Sequence, residues 1–183
     1  MSSNCSYIFS EVIMEIERSP ELLKREDLAE LYAGSVQRLH EYFIQGQGEK
    51  WKELYNIEKP LAVALCQGGA MHYHDGVNGI KDFDVWFFYP FNKKHLPYRT
   101  IWNWDYKNPK FGRHPSIPGY AGRKVDVLVR SIKNYTDNDP VKTIHQFLQF
   151  ENTASSRELA KKAVVMLNPE SLLGQVAWYK QKI

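Results

Sequence analysis

The chain has 183 residues, 43% of them apolar, and a formal net charge of +3. A chain of this length suits one compact domain that buries roughly 70% of the surface its unfolded form exposes, so stability needs no disulfide framework, and only Cys5 and Cys66 are available for one. No run approaches the ~18 apolar residues of a membrane span, Met1 to Ser10 lacks the basic-then-apolar pattern of a secretory signal, and the charge is too small to announce nucleic-acid binding on its own; together these predict a cytoplasmic protein with reduced thiols.

In chain order, Ile8, Val12 and Ile16 recur every four residues and predict a first helix over 6–18. Ser19-Pro20-Glu21 has the composition of a helix start: a hydroxyl to cap free amides, a proline for the first turn, and an acid for the positive end of the dipole. This second helix is expected to continue to about Gln45. Leu28, Leu31, Tyr32, Val36, Leu39 and Phe43 form its apolar face, and Gly46 and Gly48 end it. Three apolar runs of strand length follow: Leu61 to Cys66, Phe83 to Tyr89, and Val125 to Val129. They are continuous rather than alternating, the pattern of strands buried on both faces beneath covering helices. Gly68 and Gly69 open a short helix over 70–74. Residues 90–124 read as a long irregular connection. Asp139-Pro140 and Asn168-Pro169 are cap-and-first-turn signals, and Ser155 or Ser156 is expected to cap a helix carrying Leu159, Ala163, Val164 and Leu167. The expected fold class is α+β, a small mixed β-sheet with N- and C-terminal helices. It forms one domain over 1–183, with its core at 60–130 and helical flanks at 6–48 and 140–181.

The chemistry concentrates around three acids. Asp82 and Asp84 lie two residues apart at the start of the second strand, so both point to the same side. Two carboxylates that close are unfavourable unless a cation lies between them. A third acid, Asp126, interrupts the apolar run Val125 to Val129, where a lone aspartate is costly without a partner. If the third strand lies beside the second, the three carboxylates converge on a hard cation such as Mg2+. Directly after the first strand stands Gln67-Gly68-Gly69-Ala70. Residues without side chains let the backbone approach a ligand, and amides opening a helix favour phosphate.

This ordered set resembles the nucleotidyltransferase superfamily, which includes DNA polymerase beta and the antibiotic and small toxin–antitoxin nucleotidyltransferases. Gly68-Gly69 match the family's turn, Asp82 and Asp84 its paired ligands, and Asp126 its third acid. The match covers residues 60 to 130. Ala70 stands where many members place serine, so backbone amides alone would meet the phosphates. The resemblance implies an Mg2+-dependent enzyme, with two ions and Mn2+ as a substitute. It would move a nucleoside monophosphate from a nucleoside triphosphate to a hydroxyl or phosphate acceptor. Asp82, Asp84 and Asp126 would be metal ligands and catalytic residues, and Gly68 and Gly69 would cradle phosphate. Lys81 either pairs with phosphate or offsets the neighbouring acids. The alternative is an inactive nucleotide- or RNA-binding domain of the same fold.

Residues 90–124 carry eight Lys or Arg against one acid, Asp105. Their basic residues alternate with aromatics, a pattern that binds RNA or lines a small-molecule acceptor pocket, or else packs its rings on the sheet. His72 and His74 lie near Asp75 without enough further ligands to predict zinc.

Overall fold

The computed structural model describes residues 18–42, 59–91, 100–112, 119 and 121–180. The fold is α+β, an open six-stranded mixed sheet with helices on both faces. In chain order the elements are α1 (Arg25–Tyr42), β1 (Ala62–Cys66), α2 (Gln67–Asp75), β2 (Phe83–Pro90), β3 (Thr100–Tyr106), β4 (Arg123–Ile132), α3 (Pro140–Phe150), α4 (Ala154–Ala160), β5 (Ala163–Asn168) and β6 (Val176–Tyr179). Across the sheet the strands run β3-β4-β2-β1-β5-β6. Only β2 and β4 pair in parallel; every other neighbouring pair is antiparallel.

The continuous apolar runs are strands buried on both faces, as their pattern predicts. On one face Val63, Leu65, Phe83, Val85, Val127 and Val165 pack against Leu28, Leu31 and Leu39 of α1 and Ala70 and Met71 of α2. On the other, Ala64, Trp86, Phe88, Leu128 and Met166 pack against Ile144 and Phe147 of α3 and Leu159 of α4. Among the described residues no helix is long and apolar enough to cross a membrane.

The predicted helix over 6–18 lies almost wholly outside the described residues. The rest of the flanks differ from expectation in two places. The next helix begins at Arg25 rather than Ser19, because the Ser19 backbone exchanges hydrogen bonds with Ile80 at 2.8 and 2.7 Å. Asp27 instead supplies the helix start, accepting from the Lys24 amide at 2.7 Å, the return half of a capping box. At the other end, the expected helix through Val164 and Leu167 stops at Ala160. Thr153 caps it, with Ser156 reciprocating. Residues 163–168 then form β5 and 176–179 form β6, so the flank expected to be helical over 140–181 is helical only as far as Ala160 and continues as strands. The five residues Ala163 to Leu167 are all buried, which the two faces of a strand achieve and one face of a surface helix does not. Asp139 does cap α3, accepting from the Lys142 amide at 2.9 Å.

The described part of 90–124 is also more regular than the irregular connection expected. It contains β3, an edge strand antiparallel to β4. Trp104 and Tyr106 turn towards α1: the Trp104 indole donates to Ser35 Oγ at 3.2 Å and the Tyr106 hydroxyl to Glu30 at 2.5 Å. Lys110 reaches Asp27 at 2.5 Å. Phe111 is fully buried and meets Phe83 edge-on. Half-buried Trp102 meets Tyr42 the same way. These four rings therefore pack into the fold and present no stacking platform; residues 92–99, 113–118 and 120 lie outside the described set. The α1–β3 contact depends on Gly34, where a Cβ would fall 2.4 Å from the Trp104 ring. Gly34→Ala is expected to destabilise the protein by about 1–3 kcal/mol by overpacking, outweighing the ~1 kcal/mol that alanine gains in helix propensity. Urea unfolding measures this, and a stabilised variant would mean the ring moves aside freely.

Candidate active site

The condition set by the sequence, that the strand of Asp126 lie beside that of Asp84, is met. The two strands run parallel and in register, with Asp84 opposite Asp126. Neighbouring strands are ~4.8 Å apart, and directly paired residues share a face. Cys66 stands opposite Asp84 on the other side, and Asn103 opposite Asp126. A polar row thus crosses the sheet at one level, on the face that α3 and α4 cover further along. Both aspartates are half-buried. At an effective dielectric of about 20, two unit charges some 5 Å apart repel by roughly 3 kcal/mol. The row therefore favours hydrogen-bond donors and positive charge.

Asp82 is placed differently. It precedes β2, half-buried, at the end of the turn that leaves α2. That turn is held from three directions. Gly79 N–H donates to His72 Nδ1 at 3.0 Å. Ile80 O accepts from Ser19 N at 2.8 Å and from the buried Arg123 guanidinium at 3.2 Å. Asp75 accepts from Val77 N at 2.9 Å and Asn78 Nδ2 at 2.6 Å. Lys81 is exposed beside Asp82. Among the described residues no three or more His, Cys, Asp or Glu side chains gather closely enough to hold an ion. The register brings together Asp84 and Asp126, and Asp82 stands two residues before Asp84, just ahead of β2.

Gly68 and Gly69 lie in the first turn of α2, which starts immediately after β1. No side chain caps this end of the helix. A Cβ on Gly68 would meet nothing within 4 Å, whereas one on Gly69 would press on Phe83 and Leu65 at 3.2 and 3.3 Å. The two glycines thus have separate reasons. Gly69 lets the helix close on the core, and Gly68 leaves the amide end open towards solvent.

Two residues that the sequence did not single out complete the site. Gln67 adopts φ +59, a left-handed conformation unusual for a residue with a side chain. This turns its amide towards the acids: Nε2 donates to Asp84 Oδ1 at 3.2 Å, and Oε1 accepts from Lys162 Nζ at 3.2 Å. A cation, an amide and a carboxylate form one chain, anchored at the start of β5. The strained φ at a glutamine is a signal in the structure alone, and Lys162 is 95 residues away in sequence. Cys66, fully buried at the end of β1, has its thiol pushed well above its usual range by burial and then by the Asp84 charge. It is a neutral neighbour of the acids and no nucleophile.

The two histidines are placed differently. His72 is buried with both ring nitrogens engaged, Nδ1 accepting from Gly79 N–H and Nε2 donating to Glu21 O at 3.0 Å. His74 is exposed and packs on Tyr179, ring centroids 4.1 Å apart.

Comparison of the chain with protein-family models, with curated proteins and with solved structures returns no match.

The Gln67 bridge carries a prediction. Gln67→Gly should leave stability within about 1 kcal/mol of wild type, because relief of the left-handed strain offsets the lost hydrogen bonds and the freer unfolded chain. On the reading that the family resemblance implies, it should nevertheless weaken Mg2+-dependent binding of nucleoside triphosphate by about tenfold, some 1.4 kcal/mol, since Asp84 loses a donor that orients it. Unchanged affinity would remove Gln67 from the site.

Proposed function

We propose that this chain is a metal-dependent nucleotidyltransferase that moves a nucleoside monophosphate from a nucleoside triphosphate to a hydroxyl or phosphate acceptor. The observation that carries the reading is the in-register pairing of Asp84 with Asp126 on parallel strands, next to β1, which runs straight into the uncapped first turn of α2 with Gly68 and Gly69.

The donor set suits a hard cation: adjacent carboxylates, an amide holding one of them, and no soft ligand that is ionised. Asp84 and Asp126 would hold Mg2+ or Mn2+, and Asp82 would complete the set only by moving towards them from the turn before β2. That charge would offset the negative charge growing on the transferred phosphoryl oxygens. The chain's own groups do the rest. Gly68 and Gly69 amides, with the α2 dipole behind them, hold the outer phosphates. Asp126 orients the acceptor and takes its proton. The acceptor oxygen bonds to the α-phosphorus as the bond to the bridging oxygen breaks, and pyrophosphate leaves. Positioning and charge stabilisation dominate such a transfer. The acceptor class stays open, since Trp102, Trp104, Tyr106 and Phe111 are spent on packing.

The test is binding and turnover of the four ribonucleoside triphosphates with and without Mg2+, for wild type and the Asp82→Ala/Asp84→Ala double variant. Metal-dependent binding lost in the variant, with pyrophosphate released when RNA or cell extract is added, is the expected result. Absence of binding in the wild type would sink the active-enzyme reading.

A further inference from the structure

A cavity of about 250 Å³ opens between α4 and β2, lined by Gln67, Trp86, Ala154, Ser155, Glu158 and Leu159. It connects to the acids through Gln67 and β2. Gln67 lines the cavity and also holds Asp84. Trp86 follows Asp84 by two residues on the same strand and so shares its face of the sheet.

The wall has an unmet need. Trp86 is 2% exposed, and its indole N–H has no hydrogen-bond partner. A buried donor left unpaired is costly, and native proteins rarely keep one without a reason. Among the described residues no acceptor reaches this N–H, and Trp86 lines the cavity, so an occupant could supply one. The other wall offers the reverse. Glu158 is a carboxylate that Lys161, at 2.7 Å, holds below its usual range, so it stays ionised and accepts hydrogen bonds. Leu159 and Ala154 add apolar surface, and Ser155 a hydroxyl.

Two constraints select the occupant. The volume lies below the roughly 300–1,000 Å³ of pockets for drug-sized ligands, so one ring system fits and an oligonucleotide does not. The occupant must offer an acceptor and a donor on an otherwise apolar body, which is the chemistry of a nucleobase edge. Gln67 borders the cavity and Gly68 is the next residue, so one nucleotide reaches both seats. We propose that this cavity receives the base of the nucleoside triphosphate, with Trp86 and Glu158 as its hydrogen-bond partners. This rests on the nucleotidyltransferase reading for the phosphates alone, since the cavity would hold a nucleoside without them.

The experiment compares wild type, Trp86→Phe and Glu158→Gln by calorimetry with Mg2+ and three probes: the four ribonucleoside triphosphates, inorganic tripolyphosphate, and free nucleosides. Trp86→Phe keeps an aromatic ring and removes the N–H. Glu158→Gln changes an exposed side chain and leaves the core alone. Each variant should bind the preferred triphosphate and its nucleoside about tenfold more weakly, while tripolyphosphate affinity stays unchanged. Equal affinity of both variants and wild type for the triphosphate overturns the base seat and leaves the transferase reading standing. Loss of tripolyphosphate binding in both variants overturns it too, by showing a general disturbance. A wild type that binds nucleoside in a Trp86-dependent way, but no triphosphate, keeps the cavity and removes the transferase.

Discussion

Asp126→Asn is expected to slow pyrophosphate release by about a thousandfold or more, roughly 4 kcal/mol of transition-state stabilisation, while the protein stays folded. The substitution keeps size and shape on a half-buried residue of β4 and removes only the charge. Asp126 faces Asp84 in register across the one parallel pair of the sheet, so it is the residue best placed to share an ion with Asp84 and to meet an acceptor. An amide is a poorer ligand for a hard cation and cannot take the acceptor's proton. Removing one of two adjacent like charges also eases repulsion between strands, so the unfolding midpoint should move by no more than about 1 kcal/mol in equivalent stability. Nucleotide binding should persist more strongly than turnover, because Gly68, Gly69 and Asp84 remain. A variant that turns over at the wild-type rate would remove Asp126 from the chemistry and with it the proposed mechanism.

How much of this was legible beforehand depends on where the physical signal lies. β1, β2 and the heart of β4 announce themselves because strands covered on both faces are apolar without interruption, and Ala62 to Cys66 are buried at every position. The acids stand out against those runs for the same reason. The adjacency of Asp84 and Asp126 is not local, since nothing within either run says which strands pair or in which register. β3 carries a weaker signature. Trp102, Trp104 and Tyr106 alternate with Asn103 and Asp105, the period-two pattern of an edge strand covered on one side, but prolines and lysines on either side conceal it. β5 was misread because Leu159, Ala163 and Leu167 fall at four-residue spacing by coincidence, across a helix end and a strand. Ser19 was misread because its cap-like neighbours resemble a helix start, while its backbone is claimed by Ile80 far along the chain. Gln67 and Lys162 were invisible, since their role arises from one left-handed residue and a contact over 95 positions.

The second large effect concerns His72, which links stability to the placement of Asp82. His72→Ala is expected to destabilise the fold by about 3–5 kcal/mol. The loss adds a cavity to at least one buried group left unpaired, a large share of the 5–15 kcal/mol typical of a domain. The ring is 1% exposed and spans two segments, taking a hydrogen bond from Gly79 N–H and giving one to Glu21 O. Gly79 is itself buried, so its amide has no water to turn to. Glutamine carries a donor and an acceptor on one side chain, and His72→Gln should recover part of the loss where leucine of similar bulk should not. The functional consequence follows from position. The turn that His72 braces leads through Ile80 and Lys81 to Asp82. When it loosens, the Mg2+ concentration needed for half-maximal nucleotide binding should rise several-fold at a temperature where the variant is still folded. Urea unfolding gives the first quantity and a magnesium titration the second. A cost below about 1 kcal/mol would show that the imidazole is dispensable to the turn. A full stability loss with an unchanged magnesium requirement would show that Asp82 is held by Arg123 and the Ser19–Ile80 bridge without it.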